Sequence, residues 1–193
     1  MSIEELRIGD NVLTASGEAK PIKFIGRRNV SRKRTAPWNG EGPVKISRFA
    51  IDGKAPHSDL YISPAHAIYL DGILIRASNL VNGVTIVADA RPEALSLIYL
   101  HIELDTHEAI LAEGLAVESY LRDNPDAFDN MDEYVRLYGS PGQPLAPFAP
   151  ISVPTLIEEI QLVGVCGRNF LRCIVVKQAI DRGFLEQGET QNL

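Results

Sequence analysis

Pairs of a polar residue and a glycine divide the chain into short apolar runs as far as about residue 117. The pairs are Ser16-Gly17, Asp71-Gly72 and Asn82-Gly83. Each pair stands between two β-like runs, and glycine readily adopts the positive φ angles that tight hairpin turns require. We therefore predict three hairpins and a body that is all-β, built from short strands.

The last third of the chain has a different character. Residues 139–154 are rich in proline and glycine, and Thr155 and Glu158 then form a capping-box pattern that predicts the start of a helix. Residues 171–180 and 123–137 are further helical candidates. We predict a β domain over residues 1–120 and a helical C-terminal extension over residues 121–193 that packs on it.

Composition excludes several classes of protein. The chain has 193 residues and a formal net charge of −6, which argues against a dedicated nucleic-acid binder. The basic run at residues 27–34 is therefore interpreted as a solvated loop or as a docking surface for an acidic partner. No apolar run approaches the roughly 20 residues that span a bilayer, so no membrane partner is expected.

Cysteine usage and the first residues bear on the compartment. Cys166 and Cys173 are the two cysteines, too few for a disulfide framework, so a reducing compartment is expected. Residues 1–5 are acidic, whereas a secretory leader is basic. We expect a cytoplasmic location, although a longer parent protein could be secreted.

Two polar stretches carry the candidate chemistry. The first is Ser63-Pro64-Ala65-His66, which ends one β-like run, and the second is the stretch at residues 101–107. In an extended strand, alternate side chains point the same way, so the pattern places four proton-handling residues on one face: His101, Glu103, Asp105 and His107. A strand face this polar either contacts solvent or carries residues that take part in chemistry.

Four segments, taken in order, resemble the bacterial Hint domains of the hedgehog/intein autoprocessing superfamily. They are residues 6–14, 21–28, 60–66 and 99–120, and the resemblance runs from about residue 4 to residue 135. It implies a compact, disc-like, all-β fold. It also implies self-cleavage of the polypeptide through a thioester, so the substrate would be the protein's own chain.

The resemblance also implies site residues. Ser63 and His66 match the T-x-x-H element of the family, with serine in place of threonine, and would hold the strained amide and protonate its departing nitrogen. Asp105 and His107 match a second block that assists resolution of the intermediate. We therefore predict Ser63, His66, Asp105 and His107 as the catalytic set, with no cofactor and no metal.

The chain departs from the family pattern in two places. Glu118-Ser119 stands where inteins end in His-Asn, so the side-chain amide that releases an intein is missing and splicing is not expected. The family's cysteine nucleophile precedes the Gly-Asp of the first block, but Gly9-Asp10 lie almost at the start here, and Ser2 is too close to replace that cysteine. We expect a chain without its first strand that is catalytically silent on its own.

Two alternatives stay open. One is a scaffold of the same fold that binds a partner protein and performs no chemistry. The other is a metal site built from His101, Glu103 and His107 with His66 nearby. Residues six apart on a strand span about 20 Å, which disfavours a shared ion, and His101 and Glu103 are expected to face solvent.

Overall fold

In the computed structural model, residues 1–90, 93–122, 124, 128–140, 142–151 and 177–178 are described. Short 3₁₀ helices lie at Ile3–Glu5 and Ala77–Leu80, and one α-helix, α1, spans Met131–Tyr138. The strands in chain order are β1 (Asn11–Leu13), β2 (Ala19–Pro21), β3 (Phe24–Ser31), β4 (Val44–Ile46), β5 (Leu60–Ile62), β6 (Ala67–Leu70), β7 (Ile73–Arg76), β8 (Ile86–Val87), β9 (Ser96–Glu103), β10 (Ala109–Ala112), β11 (Leu115–Glu118) and β12 (Lys177–Gln178).

The described strands form four antiparallel sheets. Their strand orders are β1-β2, β10-β11-β6-β7, β12-β9-β3 and β5-β4-β8. This arrangement confirms the predicted all-β body with a small helical segment. In the described part of the chain, no helix is both long and apolar enough to cross a bilayer.

The β3–β9 pair is the longest ladder and carries much of the core. It runs in register from Phe24 opposite Glu103 to Ser31 opposite Ser96. Phe24, Ile102 and Leu104 are all buried, and burial of such side chains contributes about 1.5–3 kcal/mol each. The end of β9 is therefore fixed in a dry interior, which matters for the polar residues placed there.

Two of the three predicted hairpins are confirmed. Gly17, with φ of 90°, lies in the turn between β1 and β2, and Gly72, with φ of 87°, lies in the turn between β6 and β7. The prediction of a hairpin at Asn82 is wrong, because the preceding residues form a 3₁₀ helix and β8 pairs with β4. The Asn82 side-chain oxygen instead accepts hydrogen bonds from the backbone N–H groups of residues 84–86 at 2.9, 2.9 and 3.0 Å.

The chain beyond the β body packs back along β3. Asp129 donates its backbone N–H to the Arg27 carbonyl at 2.7 Å. The Asn130 side chain accepts from the Arg27 N–H at 2.8 Å and donates to the Ile25 carbonyl at 3.0 Å. These groups satisfy the edge of β3 that faces away from β9, as a further strand would.

A glycine makes this packing possible. A Cβ atom at Gly26 would lie 2.4 Å from the Phe128 ring, so only glycine leaves room for the ring. The predicted helix over residues 123–137 is present in part: α1 begins at Met131, and the side chain of its N-cap residue, Asn130, bonds to β3.

The other expectations for the C-terminal segment fall mostly outside the described residues. These include the helix from Thr155, Cys166 and Cys173, and most of the helix over residues 171–180. At Lys177–Gln178 the helical expectation is wrong, because these residues form β12 beside Leu97 and Ile98 of β9.

The basic run is not a solvated loop throughout. Arg27 and Arg28 belong to β3. The Arg32 guanidinium donates to the carbonyls of Ala94 at 3.0 Å and Ala36 at 2.7 Å, and so holds the following loop. A docking role for the exposed members of the run stays a prediction.

Candidate active site

Strand pairing brings the first predicted stretch to the end of β11. The Ser63-to-His66 segment forms a turn between β5 and β6, closed by the His66 N–H donating to the Ser63 carbonyl at 3.1 Å. Strand β6 pairs with β11 through Ile68 and Val117. Glu118, at the end of β11, therefore lies beside the start of β6.

A cavity of about 180 Å³ opens at this junction. Its polar lining residues come from four separate parts of the chain: Ser63 and His66, Arg76, His101, and the run from Glu118 to Tyr120. A second cavity of about 320 Å³ adjoins it and shares Ser63, Ala65, Arg76 and His101. The site is therefore a groove formed by two adjoining cavities rather than a single closed pocket.

His66 is held by the backbone of Glu118. The ring is buried, and its Nε2 atom lies 2.8 Å from the Glu118 carbonyl oxygen. A carbonyl oxygen only accepts, so Nε2 must carry the proton, which leaves the lone pair of neutral His66 on Nδ1. His66 is thereby prepared to accept a proton at Nδ1.

The Glu118 carboxylate organises the other side of the site. Its Oε1 atom accepts a hydrogen bond from the Ala67 N–H at 2.7 Å. Its Oε2 atom lies 3.7 Å from Nε2 of His107, which is too long for a hydrogen bond. Burial acts to raise the pKa of Glu118, but the neighbouring His107, the positive charge available on His66 and the Ala67 N–H outweigh it, and the pKa is lowered.

His107 is buried and has one unsatisfied nitrogen. Its Nδ1 atom accepts a hydrogen bond from the Phe148 backbone N–H at 3.3 Å. Its Nε2 atom has no hydrogen-bond partner among the described residues. Buried polar atoms are nearly always paired, so this one is an exception that calls for a functional reason.

His101 was expected to face solvent, and this expectation is wrong. Its ring lies 5.8 Å from the ring of His66 and 5.1 Å from that of Phe128, and it lines both cavities. Burial, reinforced by the nearby His66, lowers the pKa of His101 to about 3. A neutral imidazole therefore stands at the boundary of the two cavities at physiological pH.

Glu103 also lies inside rather than outside. It is 1% exposed, and its carboxylate accepts hydrogen bonds from the Arg122 guanidinium and from the Tyr134 hydroxyl at 3.2 Å. This ion pair occupies the carboxylate that the alternative metal site would require. Across the described ranges, no group of three or more His, Cys, Asp or Glu residues is arranged to hold a metal ion.

The structure does not bring Asp105 to the cavity. Strand β9 ends at Glu103, so the alternation predicted for residues 101–107 stops before Asp105. The Asp105 side chain is 81% exposed and pairs with Lys23 at 3.1 Å. Of the predicted set, Ser63 and His66 line the cavity and His107 lies behind it against Glu118, while Asp105 points to solvent.

Sequence reasoning left His101 and Glu118 out of the catalytic set: it expected His101 on the surface, with a metal site as the alternative. Glu118 was noted only as the residue that replaces the histidine of inteins. One signal was present: Glu118 directly follows the apolar run Leu115-Ala116-Val117, and a carboxylate at the end of a buried run is costly unless it has partners. For His101, the partners lie in Tyr120 and Phe128, which no strand pattern reveals.

The fold and the cavity define an all-β domain with a histidine and carboxylate site at the junction of two sheets. The family model of the Hint domain matches residues 1–124. This match covers well over half of the chain, so the chain belongs to the Hint domain family. Neither a curated protein nor a solved structure matches the chain significantly.

Proposed function

We propose that this chain carries the proton-transfer residues of a Hint-type self-processing site, which cleaves the peptide bond before a cysteine presented to the cavity. The observation that carries the proposal is the convergence of His66 and Glu118 on one groove, with Ser63 in its lining and His107 against the same carboxylate. These groups are the hydroxyl, imidazole and carboxylate that acyl transfer requires.

The residues have distinct roles in this proposal. The cysteine sulfur attacks the preceding carbonyl carbon, its proton passes to Nδ1 of His66, and the proton then moves to the amide nitrogen as the C–N bond breaks. The products of this step are a thioester and a free amine. The Glu118 carboxylate stabilises the imidazolium that forms transiently on His66, and the Ser63 hydroxyl holds the carbonyl oxygen.

Hydrolysis of the thioester completes cleavage. A water molecule adds to the thioester carbonyl, the C–S bond breaks, and a carboxylic acid and the free thiol result. We assign assistance in this step to His107 and Glu118. Asp105 was predicted here from the resemblance, but its exposed ion pair with Lys23 favours a surface role. Splicing is not proposed, since Ser119, at the position of the intein asparagine, has no side-chain amide to cyclise.

The proposed reaction needs a cysteine nucleophile, and the described residues that line the cavity include no cysteine. The cysteines of the chain, Cys166 and Cys173, lie outside the described residues. A base without a nucleophile performs no acyl transfer. We therefore propose that the described residues do not cleave without a cysteine presented to the cavity.

A fusion tests the proposal. A reporter protein, followed by a cysteine-bearing strand, is joined in front of the full chain, and release of the reporter is followed by intact mass spectrometry. Hydroxylamine is added in a parallel sample, because it captures a thioester. We expect release of the reporter, and a His66→Ala fusion should be slower by about 10²-fold or more.

His57→Ala is the matched control, since His57 is exposed and does not line the cavity. It should cleave at the rate of the unmodified fusion. If a folded fusion forms no hydroxylamine-sensitive species under any condition, the proposal fails and the partner-binding scaffold becomes the better account.

A further inference from the structure

One wall of the site comes from beyond the family-matched residues. We call residues 145–151 the strap. Leu145 donates its N–H to the Leu121 carbonyl at 3.1 Å, and the Leu74 N–H donates to the Pro150 carbonyl at 2.8 Å. Ile151 forms a parallel bridge with Leu74 and lines the cavity. The strap is thus attached to the body at both ends.

The middle of the strap packs directly on the site. Ala149 is buried with Ala67 and Leu74. The Phe148 ring lies 5.1 Å from the ring of His107, at an angle of 65° to it, and also 5.1 Å from the ring of Tyr69. These contacts place the Phe148 backbone beside the imidazole of His107.

The hydrogen bond from Phe148 determines where His107 carries its proton. A backbone N–H can only donate, so Nδ1 of His107, at 3.3 Å, must be the acceptor. Neutral His107 then has its proton on Nε2, the atom that faces Oε2 of Glu118 at 3.7 Å. In the other neutral tautomer, the Nδ1 proton and the Phe148 N–H would be two donors facing each other.

We propose that the strap is a positioning element that fixes His107 in its neutral Nε2–H tautomer and directs that proton toward the Glu118 carboxylate. The buried Nε2 atom has no acceptor among the described residues, so its proton is available to an oxygen atom that approaches Glu118. The tautomer follows from the geometry alone. Its use as a proton donor during thioester hydrolysis rests on the proposed function.

Nuclear magnetic resonance of the full chain tests the tautomer without any cleavage. The ¹⁵N signals of the four histidines are recorded at neutral pH and above, and those of His107 are identified by their loss in His107→Gln. We expect Nδ1 of His107 to show the signal of an unprotonated nitrogen and Nε2 that of a protonated one. A protonated Nδ1, or signals averaged between the two tautomers, would overturn the proposal.

Two substitutions test whether the strap is the cause. Phe148→Pro removes the backbone N–H, and Phe148→Ala is the matched control that removes only the ring. The proline variant should show averaged His107 signals, whereas the alanine variant should keep the wild-type pattern. A folded Phe148→Pro protein with the wild-type pattern would refute a role for the strap.

A second measurement does not depend on the proline variant folding. Hydrogen exchange of the Phe148 amide is compared between the wild type and His107→Phe, which keeps a ring but has no acceptor. We expect exchange to be at least several-fold faster in the variant. Equal exchange rates would mean that His107 does not accept this hydrogen bond. Both results are independent of whether any fusion cleaves.

Discussion

The end of β9 contributes to two buried polar clusters, one through Glu103 and the other through His101, two residues earlier. The clusters differ in how their polar atoms are paired. In the cluster around Glu103, the carboxylate is paired with Arg122 and also accepts from Tyr134. In the cluster around the cavity, His107 keeps an unpaired nitrogen among the described residues, and His101 is held neutral. We call the first cluster closed, because its carboxylate is paired, and the second open, because it keeps an unpaired nitrogen among the described residues.

The difference teaches which cluster supports the fold and which supports chemistry. A buried charge that loses its partner is strongly destabilising, so a closed ion pair has one tolerated state. Groups with unpaired nitrogens and shifted protonation can instead exchange protons with a substrate. We expect substitutions in the closed cluster to lower the free energy of unfolding, and substitutions in the open one to alter the pH dependence and the activity of the protein.

The largest effect is expected from Glu103→Gln. This change leaves the Arg122 guanidinium buried without a carboxylate, at a cost of about 3–5 kcal/mol in the free energy of unfolding. Urea denaturation monitored by circular dichroism measures it. Asp105→Asn is the matched control, because its ion pair with Lys23 is exposed and should contribute about 1 kcal/mol or less. Equal effects of the two substitutions would remove the distinction between the clusters.

The next effect is on pH dependence and concerns His101. The unfolded chain protonates this histidine near its ordinary pKa of 6.5, whereas burial in the folded state lowers the pKa to about 3. The unfolded state therefore binds more protons between these values, and stability is lost as the pH falls below 6.5, at roughly 1.4 kcal/mol per pH unit.

Replacement of His101 by Asn removes the titrating group and should flatten the loss between pH 6.5 and pH 5. Urea denaturation at both values, for the wild type and His101→Asn, measures the difference. If both proteins lose stability equally across this interval, His101 is not held neutral by its surroundings.

A smaller effect is expected from Glu118→Gln at lower pH. The folded protein lowers the pKa of Glu118 from its ordinary 4.5. The stabilisation from the carboxylate is therefore complete above that value and is lost as the pH falls through the folded one. Wild-type stability should decline more steeply than that of Glu118→Gln below pH 4.5, as thermal melts in acidic buffers would show. Equal losses of stability in the two proteins would show that the Glu118 carboxylate is not stabilised by His66 and His107.

Local turn chemistry made part of the fold predictable. Gly17 and Gly72 supply positive φ angles between paired strands, and both hairpins follow from the sequence. Asn82 carries the same signal, but its side chain bonds to the backbone of residues 84–86 and makes a local turn without a preceding strand. A polar residue before glycine can form either a hairpin turn or a local loop. Which of the two forms depends on the neighbouring strands, and the local sequence pattern does not identify them.

The site was only partly predictable because strand alternation has a limited range. Residues 101–107 were read as one face, yet β9 ends at Glu103, and the chain then turns Asp105 outward and His107 inward. Glu103 is buried because Arg122, nineteen positions later, neutralises it. The role of Glu118 depends on the pairing of β11 with β6, which only the assembled sheet establishes.

The most direct test of the account compares Glu118→Gln with Asp105→Asn in the reporter fusion that carries a cysteine-bearing strand. Reporter release is followed over time by intact mass spectrometry. We predict that Glu118→Gln slows release by about 10²-fold or more, as loss of a group that assists proton transfer does, and that Asp105→Asn releases at the unmodified rate. Loss of release in Asp105→Asn with full release in Glu118→Gln would contradict the assignment of the site.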